Sequence, residues 1–323
     1  MLSLRKSVKY AGQAATIIFH RDATRNTKAH MEIPTSTTRK ILNLPLLLLL
    51  VLPVHAQSPV WKVEKDVNLM FIGGSMHVLT ADDYPLPSAF ETAYQQSGRI
   101  VFETDLAKME SPQIRQYMLA TLSYSDGRNL QQVLREDTYR SVAEFFSTRG
   151  VPMASVENFK PGMVATVMAM VELQRLGLVG VGVDSYFNQR ADSDLKAKGY
   201  LETVEEQIDF IANMGSGRED DMLAYNLADL ENLPSVWQSM NQAWRSGDLL
   251  ALEETSAAPL RDDFSEIYQA LLIDRNNAWM PQIEAMAKTA EVEFVLVGAL
   301  HLVGSDGLLA MLVSRGYTVT QLH

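Results

Sequence analysis

The 323-residue chain contains no cysteine. That excludes a disulfide framework, thiol chemistry and lipid attachment through a cysteine. Basic residues are in deficit, 28 Lys and Arg against 39 Asp and Glu, for a net charge of −11. An acidic surface of this kind repels nucleic acid and anionic lipid, so neither is expected as a partner. Common catalytic signatures are absent too. There is no Gly-x-Ser-x-Gly elbow, no P-loop and no His-Glu-x-x-His. Gly177-Leu178-Val179-Gly180-Val181-Gly182 is glycine-rich, but its glycines fall within a strand-like run, whereas a dinucleotide fingerprint needs them between a strand and a helix.

Long apolar runs are equally scarce, apart from residues 41–54 near the front. Arg39 and Lys40 precede that run, and Val54-His55-Ala56 follows with small outer residues. A basic start, an apolar middle and a small-residue cleavage site are the marks of a secretory signal peptide. Fourteen residues with two prolines are short for a membrane span. The expectation is an exported, periplasmic or secreted protein, with residues 1–56 removed and no stable membrane insertion afterwards. Residues 1–30 make a long lead-in, and Met31 offers an alternative start, with the signal peptide at about 31–56. Cleavage after Ala56 would remove eight of the 28 basic and two of the 39 acidic residues, leaving residues 57–323 with a net charge near −17. That length suits one domain able to bury a core without cross-links.

Within 57–323, strand-like runs occur at 68–72, 99–103, 178–183 and 293–297, with a further one at 316–320. Helical spacing dominates between them, at 111–122, 128–136, 137–148 (stopping at Gly150), 160–177 and 201–213. The stretch 220–290 reads as mostly helical, with breaks at Pro234 and Gly247, and Ser305-Asp306 is positioned to cap a last helix ending at Gly316. Few strands separated by much helix predict a single α/β domain over 57–323, with a central sheet and a large helical insertion in the middle.

Two copies of one pattern bracket this domain. Gly74-Ser75-Met76-His77 follows the apolar run 69–72, and Gly298-Ala299-Leu300-His301 follows the run 294–297. Only His77, His301 and the terminal His323 remain beyond residue 56. A histidine just past a strand end lies where open α/β sheets bind ligands. Glu103 ends the run Arg99-Ile100-Val101-Phe102, with Asp105 as the weaker alternative. If the strands are neighbours and run the same way, Glu103 lies near His77. Two His and one Glu can hold a catalytic zinc ion, lowering the pKa of its water, and the same residues without metal can do acid–base chemistry. Asp184 stands at another expected strand end. Arg275, with Asn276, sits on a helix from which a guanidinium could hold a substrate carboxylate or an oxyanion.

In this order, the motifs resemble the TraB/GumN family, which includes Tiki-type metalloproteases and is remotely related to the ChaN and erythromycin-esterase group. The resemblance covers nearly all of 68–322. It rests on Phe71-Ile72-Gly73-Gly74-Ser75-Met76-His77 with Leu86-Pro87, on Val101-Phe102-Glu103-Thr104-Asp105, on Gly182-Val183-Asp184-Ser185-Tyr186-Phe187, on Leu201 to Gln207, on Asp274-Arg275-Asn276-Asn277 and on Val297 to Gly304. It implies a mixed sheet flanked by helices on which the two Gly-x-x-His strands and the Glu strand converge. His77, Glu103 and His301 would be the metal or catalytic residues, with Arg275 supporting. The implied activity is hydrolysis of peptide or amide bonds dependent on a divalent metal, manganese or cobalt in Tiki-type members, zinc by ligand type alone. The remote ChaN relationship motivates an alternative: a non-enzymatic protein binding haem, metal or a small ligand in the same cleft.

Overall fold

The computed structural model describes residues 57–323. The expected signal peptide and lead-in lie outside the described residues. Six strands form one sheet: β1 Val60–Lys65, β2 Asn68–Ser75, β3 Arg99–Phe102, β4 Ala197–Tyr200, β5 Glu293–Gly298 and β6 Thr318–Gln321. Their spatial order is β4-β3-β5-β2-β1-β6. β4, β3, β5 and β2 pair in parallel, whereas β1 is antiparallel to both β2 and β6, so the sheet is mixed as expected. β5 lies at its centre and is buried along its whole length, which suits its near-continuous apolar sequence.

Side chains alternate across the sheet. Phe71, Ile100, Phe102, Phe294 and Leu296 join a large apolar cluster on one face. Met70, Ile72, Val101, Val295 and Val297 join a smaller one on the other. The principal helices are α1 Ser88–Gln96, α2 Pro112–Thr121, α3 Glu136–Thr148, α4 Pro161–Arg175, α5 Val183–Ser193, α6 Val204–Asn213, α7 Glu219–Ser246, α8 Asp274–Met286 and α9 Leu308–Ser314. Trp279, Met280 and Ile283 of α8, with Leu308 and Leu312 of α9, cover the smaller cluster. Most of the other helices stack on the larger one. No helix among the described residues is long and apolar enough to cross a membrane.

Several sequence expectations need correction. Residues 178–182 are not a strand, and Asp184 stands in the first turn of α5. The run crosses the segment after β2 so closely that a Cβ at Gly180 would meet the Leu79 carbonyl oxygen at 2.0 Å, and one at Gly182 the His77 carbonyl oxygen at 2.1 Å. Its glycines therefore serve backbone contact, not strand pairing or phosphate binding. Pro234 does not break α7, whose buried Leu230, Leu233, Val236 and Trp237 hold the helix to the core on both sides of it. The last helix begins after Gly307, and the Asp306 carboxylate instead accepts from the Tyr268 hydroxyl at 3.2 Å. β1 and β4 were not foreseen. β4 is a four-residue edge strand with a central glycine, too short and weak in propensity to stand out.

Candidate active site

All three strands that carry the candidate residues end on the same edge of the sheet. β5 pairs in parallel with both β2 and β3, so Glu103 and His77 are separated by the strand that leads to His301. The three nonetheless converge on Gly298. A Cβ placed there would lie 3.2 Å from Oε1 of Glu103, 3.6 Å from Cδ2 of His301 and 3.7 Å from Nε2 of His77. A side chain at this position would fill the space the three functional groups share, and the Gly298 N–H donates to Oε1 of Glu103 at 2.6 Å.

The two Gly-x-x-His copies do not have equal roles. After Gly298 the chain turns through the 3-10 helix Ala299–Leu302, which tucks His301 into the interior at 2 % exposure. Arg275 Nη1 donates to Nε2 of His301 at 3.0 Å. Because arginine can only donate, Nδ1 of His301 carries the hydrogen and donates to Oδ1 of Asn276 at 2.8 Å. Burial, aided by the Arg275 charge, drives the His301 pKa down to about 3 and keeps the ring neutral. After β2 the chain forms no helical turn but bends at His77, which faces the cleft with a tenth of its side chain exposed. Its Nδ1 lies 3.3 Å from Oδ1 of Asp184, delivered by the first turn of α5, while Val183 N–H bonds the Met76 carbonyl and fixes that helix end against the strand. Burial works against a charged His77, but the Asp184 carboxylate, seconded by Glu103, outweighs it and raises the pKa.

Arg275 is the hub of the buried half. Nε and Nη2 form a fork on Glu202 at 3.0 and 2.7 Å, Nη2 also meets Oε2 of Glu103 at 2.8 Å, and Nη1 reaches the Leu271 carbonyl besides His301. The guanidinium also stacks 4.6 Å above the Trp279 ring, whose indole N–H bonds Glu202 at 3.1 Å. All five of its N–H groups are thus directed at protein acceptors, so it is not a fork held ready for substrate. It sets charge instead. Burial opposes ionisation of Glu103, but Arg275, the two histidines and the Gly298 N–H together pull its pKa down to about 2. In Glu202 burial prevails over Arg275 and the pKa is raised.

The donors as arranged do not fit a metal ion. An ion needs converging free lone pairs. Here the Arg275 cation bridges Nε2 of His301 and Oε2 of Glu103, and among the described residues no group of three or more His, Asp or Glu is arranged to hold one. Asp105, the weaker alternative to Glu103, points elsewhere and caps the short helix Leu106–Met109. Sequence reading assigned no role to Glu202 or Gln207. Gln207 Nε2 approaches Oε2 of Glu103 at 3.4 Å. Both lie in the 201–207 motif, whose polar residues looked like a helix start; Thr203 and Glu206 do form that capping box.

Two clefts, each about 370 Å³ counting space open to solvent, meet at Ser75 and His77, which line both. One also holds Glu103, Thr104, Asp184 and Gln207, and the other Trp237, Met240, Leu252 and Leu300.

The model of the TraB/PrgY/gumN family matches residues 59–321. Among curated proteins, the chain is 26% identical over 247 residues to the uncharacterized protein YbaP of Escherichia coli (strain K12), covering 74% of this chain and 86% of that one. The YbaP protein of Shigella flexneri matches to the same extent. It is 23% identical over 313 residues to metalloprotease TIKI1 of Xenopus tropicalis, covering 81% of this chain and 61% of that protein. No solved structure matches the chain.

Proposed function

The chain belongs to the TraB/PrgY/gumN family, and we propose that it is an exported hydrolase of peptide or other amide bonds whose general base is His77. The observation that carries this reading is the His77–Asp184 pair beside an ionised, buried Glu103 at the meeting point of two clefts. Likeness to a metalloprotease supports hydrolysis as the reaction class. The basic-apolar-small segment ending at Ala56 supports export, and the acidic balance supports a peptide or small-molecule substrate over nucleic acid.

In this reading Nδ1–H of His77 is held towards Asp184, leaving the Nε2 lone pair for a water molecule. The water oxygen attacks the substrate carbonyl carbon while its proton passes to Nε2. Asp184 and Glu103 stabilise the imidazolium that forms, and the same proton is then delivered to the leaving amine as the C–N bond breaks. No step is assigned to a metal, because the donor set does not fit one. Arg275 acts at one remove: it holds Glu103 ionised beside Gly298, while neutral His301 accepts from Nη1 and helps to keep the guanidinium in place.

The test is to incubate the 57–323 chain with a mixed peptide library and follow cleavage by mass spectrometry, beside His77→Gln. Cleavage by the wild type, reduced about a hundredfold or more in the folded variant, is the expected result. Equal cleavage by both sinks the assignment of His77.

A further inference from the structure

The two clefts differ in chemistry, and the difference bears on what lies across His77. Besides the His77–Asp184 contact, the cleft on the Glu103 side contains a buried hydroxyl. Thr104 is 3 % exposed, lines the cleft, and its hydroxyl has no hydrogen-bond partner. A buried hydroxyl left without a partner is costly to the folded state. The Gln207 amide, which lines the same cleft, makes a long 3.4 Å contact to Glu103 and also bonds the Glu202 carboxylate. The other cleft is walled by Met76, Val78, Trp237, Met240, Leu252 and Leu300. It offers no charged group beyond the shared His77.

We propose that the substrate is a peptide-like chain lying across Ser75 and His77, with a main-chain amide bonded to the Thr104 hydroxyl on one side of the cleaved bond and an apolar, unbranched or γ-branched side chain in the Trp237–Met240–Leu252–Leu300 cleft on the other. Each half supplies what the other lacks. The Thr104 hydroxyl, a donor and an acceptor, matches either end of an amide and is indifferent to side-chain identity. The methionine- and leucine-lined cleft adapts to flexible aliphatic groups and rejects charge. Ser75 and His77 are the only residues common to both linings, which places the reacting bond above them. This specificity rests on the hydrolase reading for its cleavage arm but not for its binding arm.

The experiment uses N-acetylated alanine pentapeptide amides carrying a single Gly, Leu, Met or Asp at each position in turn. Binding is followed by tryptophan fluorescence, to which Trp237 in the cleft wall contributes, and cleavage by mass spectrometry. Leu and Met peptides are expected to bind, and to be cleaved, about tenfold or more better than Gly or Asp at one position. Thr104→Val should weaken binding of all peptides about fivefold while leaving thermal stability unchanged or higher, because the hydroxyl it removes makes no internal bond. Met240→Trp should abolish the preference for Leu. If that variant does not fold, Trp237→Phe should shift the preference towards larger side chains. Selective binding without cleavage would uphold the two-cleft assignment and end the hydrolase reading. Cleavage or binding indifferent to the side chain, no binding of any peptide, or a Thr104→Val variant that binds normally would overturn it.

Discussion

Nδ1 of His77 lies 3.3 Å from Oδ1 of Asp184, a contact made where the start of α5 crosses the end of β2. It polarises the histidine that faces the cleft, and it depends on Gly182, since any side chain there would collide with the His77 carbonyl. The other histidine of the repeated pattern has no carboxylate on its Nδ1 and is held neutral by burial, with the Arg275 charge assisting.

This contrast predicts a pH profile. In the proposed mechanism neutral His77 is the active form, and its pKa is raised, so the acid limb of kcat/KM should have its midpoint above the ordinary value of about 6.5. Asp184→Asn removes the main raising influence. Its midpoint should move down in pH, and the plateau should fall about a hundredfold. A midpoint unchanged by Asp184→Asn counts against the pair as the base.

The two rings should also separate by NMR. With its pKa near 3, His301 should stay neutral with its proton on Nδ1 down to about pH 4, while His77 titrates above 6.5. Their linkage to stability has opposite sign. The raised His77 stabilises most below the unfolded value and loses that contribution as pH rises through its folded pKa. The depressed His301 contributes above about 6.5 and loses it on acidification. Nitrogen-detected imidazole spectra between pH 4 and 8 check both rings, and co-titration would refute the assignment.

Arg275→Met should destabilise the fold by about 3–5 kcal/mol, because Glu103 and Glu202 would remain buried without their counter-charge. In the wild type Glu103 contributes stability above its unfolded value of about 4.3, lost only as pH falls towards 2. Without Arg275 burial dominates, the folded pKa rises, and the contribution reverses. The gap in melting temperature between variant and wild type should therefore narrow from pH 7 to pH 5. A constant gap would mean that Arg275 acts through packing alone.

Gly298→Ala places a methyl 3.2 Å from Glu103 and within 4 Å of both histidines. Stability should fall by about 1–3 kcal/mol, and kcat should fall by more than tenfold while KM changes little. A variant with full kcat would show that the three groups need not share this space.

Chelation tests the bridging role of Arg275. Activity of the purified chain should survive dialysis against EDTA, with metal content well below one equivalent, as the occupied lone pairs of His301 and Glu103 require. Stoichiometric metal that is lost in His301→Ala would overturn this.

Much of this arrangement was legible in the sequence. The strands ending at Ser75, Phe102 and Gly298 announced themselves by apolar runs, and three of the site side chains, His77, Glu103 and His301, follow from what stands just past those ends. The inequality of the two histidines was not legible. It depends on whether the chain winds into a 3-10 helix after the glycine, as at Ala299–Leu302, or does not, as after Gly74, which Ala299-Leu300 and Ser75-Met76 do not reveal locally. Glu202 and Gln207 were hidden because a carboxylate or amide near a helix start looks like a cap until the partner helix α8 is placed against it. The run 178–183 misled because valine and glycine alternate there, a pattern that fits a strand and a close backbone crossing equally well.

The place of β5 has a consequence for how the molecule comes into being. The penultimate strand is inserted between β2 and β3, made some 200 residues earlier, and brings Gly298 and His301 with it. Until it arrives, β2 and β3 are open edges with nothing to pair on their inner sides, the kind of surface that templates aggregation. The chain cannot assemble the centre of its sheet before β5 has been synthesised. The candidate site therefore forms late, only when nearly the whole polypeptide is present.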